Sequence, residues 1–472
     1  MWDTDDDVYA KEIALALCAF AALLSVWRRT PPRLAPRFLP RDAVEAAAKE
    51  AEAETKAGTK AETKAIKTEE PFVAPASTRL QASTTRNVYA PPVPAHCVVT
   101  GGTGFVGQRL VEMLIERGAE RVIAFDIVPK PEGAWDHPNI TYVVGDIRDA
   151  EAVKAACKGA DCVWHIAAAV GPYHPQHLYD AVNYQGTLNV IQACREGGVP
   201  KLVMSSSPST RFDGSDVDGL TEDDMPSLPQ KSYLQPYASS KAKGEMAVSA
   251  ANDASLMTVS VAPHQVYGPR DCLFLPNILE AAGSGLLRVF ASARTGYGLS
   301  RVCFTHVDNY CHGLIIAERA LFEGSPALGK FYIVTDGDTH PFSAGYQHLW
   351  IAIEEVVQFM GFPSIRAKVA LPDWLMFPAA YACEMITKVT GIRLKLNVFS
   401  VRMLTIDRWF KITAAENDLG YKPIVNFSDG WLDTMIWFRQ HWLPDYLAQQ
   451  QGSSTVTGIA KSTQGKIDIQ AR

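Results

Sequence analysis

The stretch PYASSKAKGE places Tyr237 and Lys241 four residues apart, and of the chain's 16 tyrosines only Tyr237 has a lysine at that offset. Residues four apart share one face of a helix. A phenol with a pKa of about 10 is a poor base at neutral pH. A neighbouring ammonium lowers that pKa, and an oxidised nicotinamide adds further positive charge. The phenolate could then take the proton of a substrate alcohol while hydride leaves to the nicotinamide. Just upstream, the run KLVMSSS ends in three serines, any of which could hydrogen-bond the substrate oxygen. Ser205 and Ser207 share one face of an extended strand and Ser206 the other. Ser207 is the first candidate and Ser206 the second. Composition alone yields on the order of one Tyr/Lys pair of this spacing, so the elements around the pair must decide.

Those elements alternate. VVTGGTGFVG, residues 98–107, is an apolar strand that runs into Gly101, Gly104 and Gly107, and the amphipathic stretch FVGQRLVEMLIERG follows. Glycines at this spacing are a weak signal alone. Between a strand and a helix they carry a mechanism, because glycine lets backbone approach a pyrophosphate and a helix N-terminus offers free N–H groups and a positive dipole end. Phe105 and Val106 complete this cofactor-binding turn. The next strand, RVIAFD, ends in Asp126, placed to hydrogen-bond the adenosine ribose and to repel a 2′-phosphate. That predicts NAD rather than NADP, although Lys130 is close enough to soften the preference. The third strand ends in Gly145-Asp146-Ile147, placed to reach the adenine edge, and the fourth in Ile166-Ala167-Ala168, whose small residues leave space beside the cofactor. KLVMSSS and LMTVSVAP continue the series, with helical stretches such as Gly107–Arg117 and Asn183–Glu196 between strands. Alternation of this kind predicts an α/β fold: a Rossmann-type doubly wound parallel sheet, with Tyr237 and Lys241 opening the helix directly after the fifth strand.

Composition excludes other classes. Net charge is -6 and no Lys/Arg cluster is interleaved with aromatics, which argues against nucleic-acid binding. The nine cysteines are odd in number, scattered and without a CxxC, the pattern of buried free thiols in a reducing compartment. His165, His174 and His177 lack acidic or cysteine partners at zinc-site spacing and read as loop histidines; no metal is expected. His264 and His306 sit near strand ends and receive no role.

The N-terminus opens MWDTDDD and continues with Ile13–Trp27, fifteen residues without a charge, followed by Arg28, Arg29, Arg33, Arg37 and Arg41. Residues 1–30 are expected to form a membrane-anchor helix that leaves the main body on the cytosolic side, at the endoplasmic reticulum. A cleaved targeting segment or a buried helix are the alternatives. Residues 31–94, rich in Ala, Glu and Lys and then in Pro, Ser and Thr, form a linker. The folded domain spans 95–447, with a smaller C-terminal substrate-binding lobe from about 268, and 448–472 read as a disordered tail.

Together, VTGGTGFVG, GDIRD, NYQGTLN, SSS before a loop, YASSK and VAPHQVYGPRD resemble the extended short-chain dehydrogenase/reductase superfamily over roughly residues 96–445. Within it, FTHVDNYCHGLIIAERAL, LPDWLMFPAAYACEMITKVTG and WFKITAAENDLGYKPIVNFSDGWLDTMIWF look most like the 3β-hydroxysteroid dehydrogenase family, in particular its sterol-4α-carboxylate 3-dehydrogenases. The resemblance implies Tyr237 as proton acceptor, Lys241 as its partner and cofactor ligand, and Ser207 as donor to the substrate oxygen. It implies Gly101, Gly104 and Gly107 as the pyrophosphate loop, and Pro263 and Val266 as backbone contacts near the carboxamide. The implied activity is NAD-dependent oxidation of a 3β-hydroxyl on a sterol or steroid, with loss of CO2 from a 4α-carboxysterol. Expected partners are that sterol, the membrane through the N-terminal helix, and a homodimer or a sterol-demethylation complex. The chain departs from the pattern at Ala262, where arginine is usual, and at His264, both beside the nicotinamide end. A nucleotide-sugar epimerase or dehydratase and a non-catalytic dinucleotide binder are the alternatives. The apolar segment Leu371–Thr390 favours a sterol pocket or a second membrane contact over a nucleotide sugar, unless it is a core helix.

Overall fold

The computed structural model describes residues 92–450, apart from 172–173, 292–298, 342–344 and 391–395. The expected anchor, nearly all of the linker and the tail beyond 450 lie outside the described residues. Among the described residues no helix is long and apolar enough to cross a membrane.

Alternating apolar runs form seven parallel strands: β1 (His96–Thr100), β2 (Arg121–Asp126), β3 (Ile140–Val144), β4 (Cys162–His165), β5 (Lys201–Ser205), β7 (Met257–Pro263) and β9 (Phe331–Val334), in the order β9-β7-β5-β4-β1-β2-β3. Both faces are covered, as the continuous Val/Ile/Leu content of the strands demands. Val98, Val163 and Leu202 point to one face and pack with Val153, Val190 and Val248 of three helices: α2 (Ala150–Cys157), α3 (Gly186–Gly197) and α4 (Pro236–Ala250). Their successors Val99, Trp164 and Val203 point to the other face, onto Leu110, Leu114 and Ile315 of α1 (Phe105–Glu116) and α5 (Val307–Arg319). This one-residue alternation is the strand's period of two made three-dimensional. The order reverses between β1 and β4, and a crevice opens there at the carboxyl ends of the strands.

The expected doubly wound sheet is present. A second, smaller sheet has the order β10-β8-β11-β6 and is built from β6 (Val217–Leu220), β8 (Arg301–Val302), β10 (Gln347–His348) and β11 (Arg408–Phe410). It adjoins an aromatic core that includes Phe304, Trp350, Phe427 and Trp431, all essentially without solvent exposure. The two sheets interleave along the chain, since β6 precedes residue 268 while β9 returns to the main sheet after it. For the same reason α4 does not follow β5 directly, as the sequence suggested; residues 206–235, including β6, come between them.

Candidate active site

At one end of the crevice backbone does the positioning. Gly101 has φ +72°, and a Cβ there would lie 2.8 Å from the Ala167 nitrogen. At Gly107 a Cβ would lie 1.9 Å from the Gly101 carbonyl oxygen. The loop therefore closes onto the first turn of α1 only because both positions lack a side chain. Asp126, at the end of β2, is buried and accepts from the Thr103 backbone N–H at 3.1 Å and the Val128 N–H at 3.3 Å. Asp146 grips Arg148, with the shortest contact at 2.5 Å. Partial burial alone would raise the Asp146 carboxyl, but the guanidinium holds it below the usual carboxylate range.

At the other end side chains do the positioning. Proline at the first position of α4 starts the helix that carries Tyr237 and Lys241 on one face. The Lys241 Nζ donates to the Ser205 carbonyl oxygen at 2.6 Å, and burial lowers its ammonium to about 8. The Tyr237 ring meets Tyr179 edge-on at 6.1 Å, and the Ser207 side chain acts on its phenol to lower it. Burial raises the phenol to about 12, more than the Ser207 contact lowers it. The expectation that the ammonium lowers the phenol is thus not met: Lys241 is turned to a backbone carbonyl, and burial sets the direction of the shift.

The three serines separate. Ser205 Oγ lies 2.7 Å from the Tyr310 hydroxyl, and Ser206 Oγ donates to Glu245 Oε2 at 2.6 Å. Of the three only Ser207 acts on the Tyr237 phenol, while its Oγ lies 2.8 Å from Ser209 Oγ and accepts from the Ser209 N–H. Glu245, buried on α4, also holds Arg211 at 2.6 Å and accepts from Thr210 at 3.3 Å. It thereby ties the loop carrying Ser207 to the helix carrying Tyr237. Gly244 completes the contact, since a Cβ there would lie 2.5 Å from the Asn183 carbonyl oxygen. Asn183 donates to Ser240 Oγ and to the Ala169 carbonyl, both at 3.0 Å, and lies in a π-helical turn, Asp180–Gln185. Such turns frequently occur at functional sites. Glu245 and Asn183 are positioning residues that the sequence reading did not single out. Asn183 sits in the NYQGTLN stretch, and the π turn was the missing signal.

Every predicted site residue lines one crevice of about 1610 Å³: Gly101, Gly104, Phe105, Val106, Gly107, Asp126, Asp146, Ile147, Ala167, Ala168, Ser207, Tyr237, Lys241, Pro263 and Val266. Its wall also takes in Leu273, Phe274, Pro276, Trp437 and Trp442, which the sequence reading did not assign. Among the described side chains of residues 371–387, none lines it. Residues 371–390 form a short strand and helix α6 (Asp373–Thr390), which buries Leu375, Met376 and Ala380 and exposes Trp374 and Tyr381. His165 is a core histidine of β4, between Thr100 at 2.9 Å and Thr187 at 3.0 Å, rather than a loop histidine. Among the described residues no group of three His, Cys, Asp or Glu could hold a metal ion.

The glycine cradle, the open α1 N-terminus and Asp126 fit a dinucleotide, with the adenosine half toward Asp126 and Asp146 and the nicotinamide half toward Tyr237. Comparisons with known proteins agree. The model of the 3-beta hydroxysteroid dehydrogenase/isomerase family matches residues 98–356. A human protein named sterol-4-alpha-carboxylate 3-dehydrogenase, decarboxylating, is 31% identical over 73% of this chain and 88% of its own. A 2-alkyl-3-oxoalkanoate reductase of Stenotrophomonas maltophilia is 33% identical over 71% of this chain and 96% of its own. Among solved structures, an epimerase of Methanothermobacter thermautotrophicus superposes with a TM-score of 0.56 over 79% of this chain and 98% of its own, at 23% identity, a likeness of fold.

Proposed function

Because the chain belongs to the 3-beta hydroxysteroid dehydrogenase/isomerase family, a family of NAD-dependent oxidoreductases, we propose that it oxidises the 3β-hydroxyl of a sterol bearing a 4α-carboxylate, with loss of CO2. The observation that carries this reading is that Ser207, Tyr237 and Lys241 line one crevice together with Leu273, Phe274, Pro276, Trp437 and Trp442. A proton-accepting pair stands beside a surface suited to a rigid apolar ring system.

Ser207 holds the alcohol oxygen and Tyr237 takes its proton. Lys241, fixed by the Ser205 carbonyl, keeps a positive charge one helical turn from the phenol. NAD, when bound, accepts the hydride and adds positive charge beside the phenol, which opposes the burial that otherwise keeps it protonated. Oxidation leaves a ketone next to the carbon that carries the carboxylate. The C–CO2 bond then breaks because its electrons delocalise into that carbonyl as an enolate, whose oxygen lies against Ser207 and Tyr237. The names of the two curated relatives share this chemistry: each places an oxygen function β to a carboxylate.

The test is a coupled assay on the purified chain with a 4α-carboxysterol, the matching plain 3β-hydroxysterol and a UDP-sugar. NADH and CO2 in equal amounts from the first alone support the reading. Equal oxidation of the plain sterol makes this a general 3β-hydroxysteroid dehydrogenase, and turnover of the UDP-sugar alone makes it an epimerase or dehydratase. Attachment to the endoplasmic reticulum through residues 1–30, with the catalytic domain in the cytosol, is part of the same proposal and rests on the apolar run Ile13–Trp27. A truncation of residues 1–94 should partition with the soluble fraction; retention on membranes would contradict it. A homodimer or a sterol-demethylation complex remains part of the proposal, tested by mass in solution.

A further inference from the structure

Two strained residues flank one wall of the crevice. Among the described residues only Gln265, at φ +45°, and Arg270, at φ +71°, adopt positive φ without being glycine. Both line the crevice, on either side of the short strand Val266–Tyr267. Such conformations persist only where the surroundings over-determine them, and they cluster at active sites and ligand clamps.

At Arg270 the surroundings are charged. Its Nη1 donates to Glu112 Oε1 at 2.6 Å and its Nη2 to Glu112 Oε2 at 2.8 Å, a two-pronged grip on α1. Nη1 also reaches Gln108 Oε1 at 3.4 Å, and Gln108 donates to the Thr103 carbonyl oxygen, inside the glycine turn, at 2.8 Å. Glu112 is buried. Burial alone would raise its carboxyl, but the guanidiniums of Arg270 and Arg109 hold it below its usual range. Removing such a carboxylate from water is costly unless it is paired and hydrogen-bonded in this way.

The chain beyond the grip is fixed as well. The Asp271 carboxylate accepts from the backbone N–H groups of Leu273, Phe274 and Leu275 at 2.8, 3.1 and 2.9 Å. Grip and cap together form a step from α1 to the helix Leu275–Gly283. Leu273, Phe274 and Pro276 ride on this step and stand in the crevice wall. Leu273 is 44% exposed, so its place depends on the backbone step more than on core packing.

We propose that Arg270 is the positioning residue of the substrate wall: its grip on Glu112 holds residues 268–276 against the cofactor helix, so that Leu273, Phe274 and Pro276 meet the sterol ring system. This rests on the dehydrogenase reading above and names the residue that sets how tightly the sterol is held. Arg270 acts through the wall and takes no part in proton or hydride transfer.

The experiment measures kcat and KM for a 4α-carboxysterol at saturating NAD in the native full-length chain, in Arg270→Gln and in Arg270→Lys, with NAD affinity from calorimetric titration. Arg270→Gln leaves Glu112 its second partner, Arg109 at 3.3 Å. KM should rise about 10-fold or more, the scale of uncovering one large apolar side chain, while kcat and NAD affinity stay within a few-fold. Arg270→Lys should recover part of the loss. An unchanged KM overturns the inference, and so does a parallel fall in kcat and NAD affinity, which marks a structural role. Should Arg270→Gln not fold, Leu273→Ala decides, since its side chain is half-exposed: KM must rise with kcat held, and an unchanged KM overturns the inference. All these outcomes leave the dehydrogenase reading intact. Turnover of UDP-sugars and no sterol overturns that reading instead, and the same KM comparison made on the UDP-sugar then decides the role of Arg270.

Discussion

The two ends of the crevice are built on opposite plans. The nucleotide end is made of backbone: at Gly101 and Gly107 the loop needs the absence of atoms, and a Cβ at Gly107 would stand 1.9 Å from a carbonyl oxygen. The reaction end is made of side chains, each held by another from a distant part of the chain. Lys241 is held by the Ser205 carbonyl, Ser206 by Glu245, and Ser240 by Asn183. A backbone cradle fails when something is added to it, whereas a side-chain network fails when something is removed.

Gly107→Ala should have the largest effect on binding. The added carbon meets backbone, which cannot yield cheaply, and a strain of about 3 kcal/mol or more corresponds to at least a 100-fold loss of NAD affinity. Calorimetric titration with NAD measures it. Affinity within a few-fold of native would mean that the loop is not the pyrophosphate cradle.

Glu245→Gln probes the other end. It leaves the glycine loop untouched and weakens the grip on Ser206, Thr210 and Arg211, so Ser207 drifts from Tyr237. A misplacement of about 1 Å costs on the order of 100-fold. We expect kcat to fall on that scale while NAD affinity stays within a few-fold; a parallel fall in both would mark a general loss of fold.

This contrast also explains what could be read from the sequence. The cradle was legible because its parts are local: Gly101, Gly104 and Gly107 spaced three apart, and Asp126 at the end of the next strand. Tyr237 and Lys241 were legible as a helical i, i+4 pair. The choice among Ser205, Ser206 and Ser207 was open because period two separates faces only. In the structure Ser206 is engaged by Glu245, almost forty residues downstream, and Ser205 by Tyr310, partners that no local spacing shows. The direction of the Tyr237 shift was misjudged, because a spacing shows a nearby ammonium but not the burial that outweighs it. The strands of the smaller sheet have two to four residues, too few to show a period, so its interleaving with the main sheet left no trace.

His165 gives the smallest effect. Desolvation by burial lowers its pKa from 6.5 to about 3, so the folded state keeps it neutral while the unfolded chain binds a proton as pH falls below 6.5. The unfolded state is then favoured, and stability drops on acidification until the folded pKa is reached. At pH 5.5 this one group accounts for about 1.4 kcal/mol. Denaturant melts at pH 7 and 5.5 should show a smaller acid loss in His165→Gln than in the native chain; the same loss in both would refute the assignment.

The central claim is that Tyr237 is the proton acceptor of an NAD-dependent oxidation. Its most direct test is single-turnover NADH formation from a 4α-carboxysterol by native protein and by Tyr237→Phe, with NAD affinity measured on both. Positioned proton transfer contributes about 10²–10⁴-fold. The account predicts a rate loss in that range or beyond, with NAD affinity unchanged within a few-fold. Near-native NADH formation by Tyr237→Phe would contradict it.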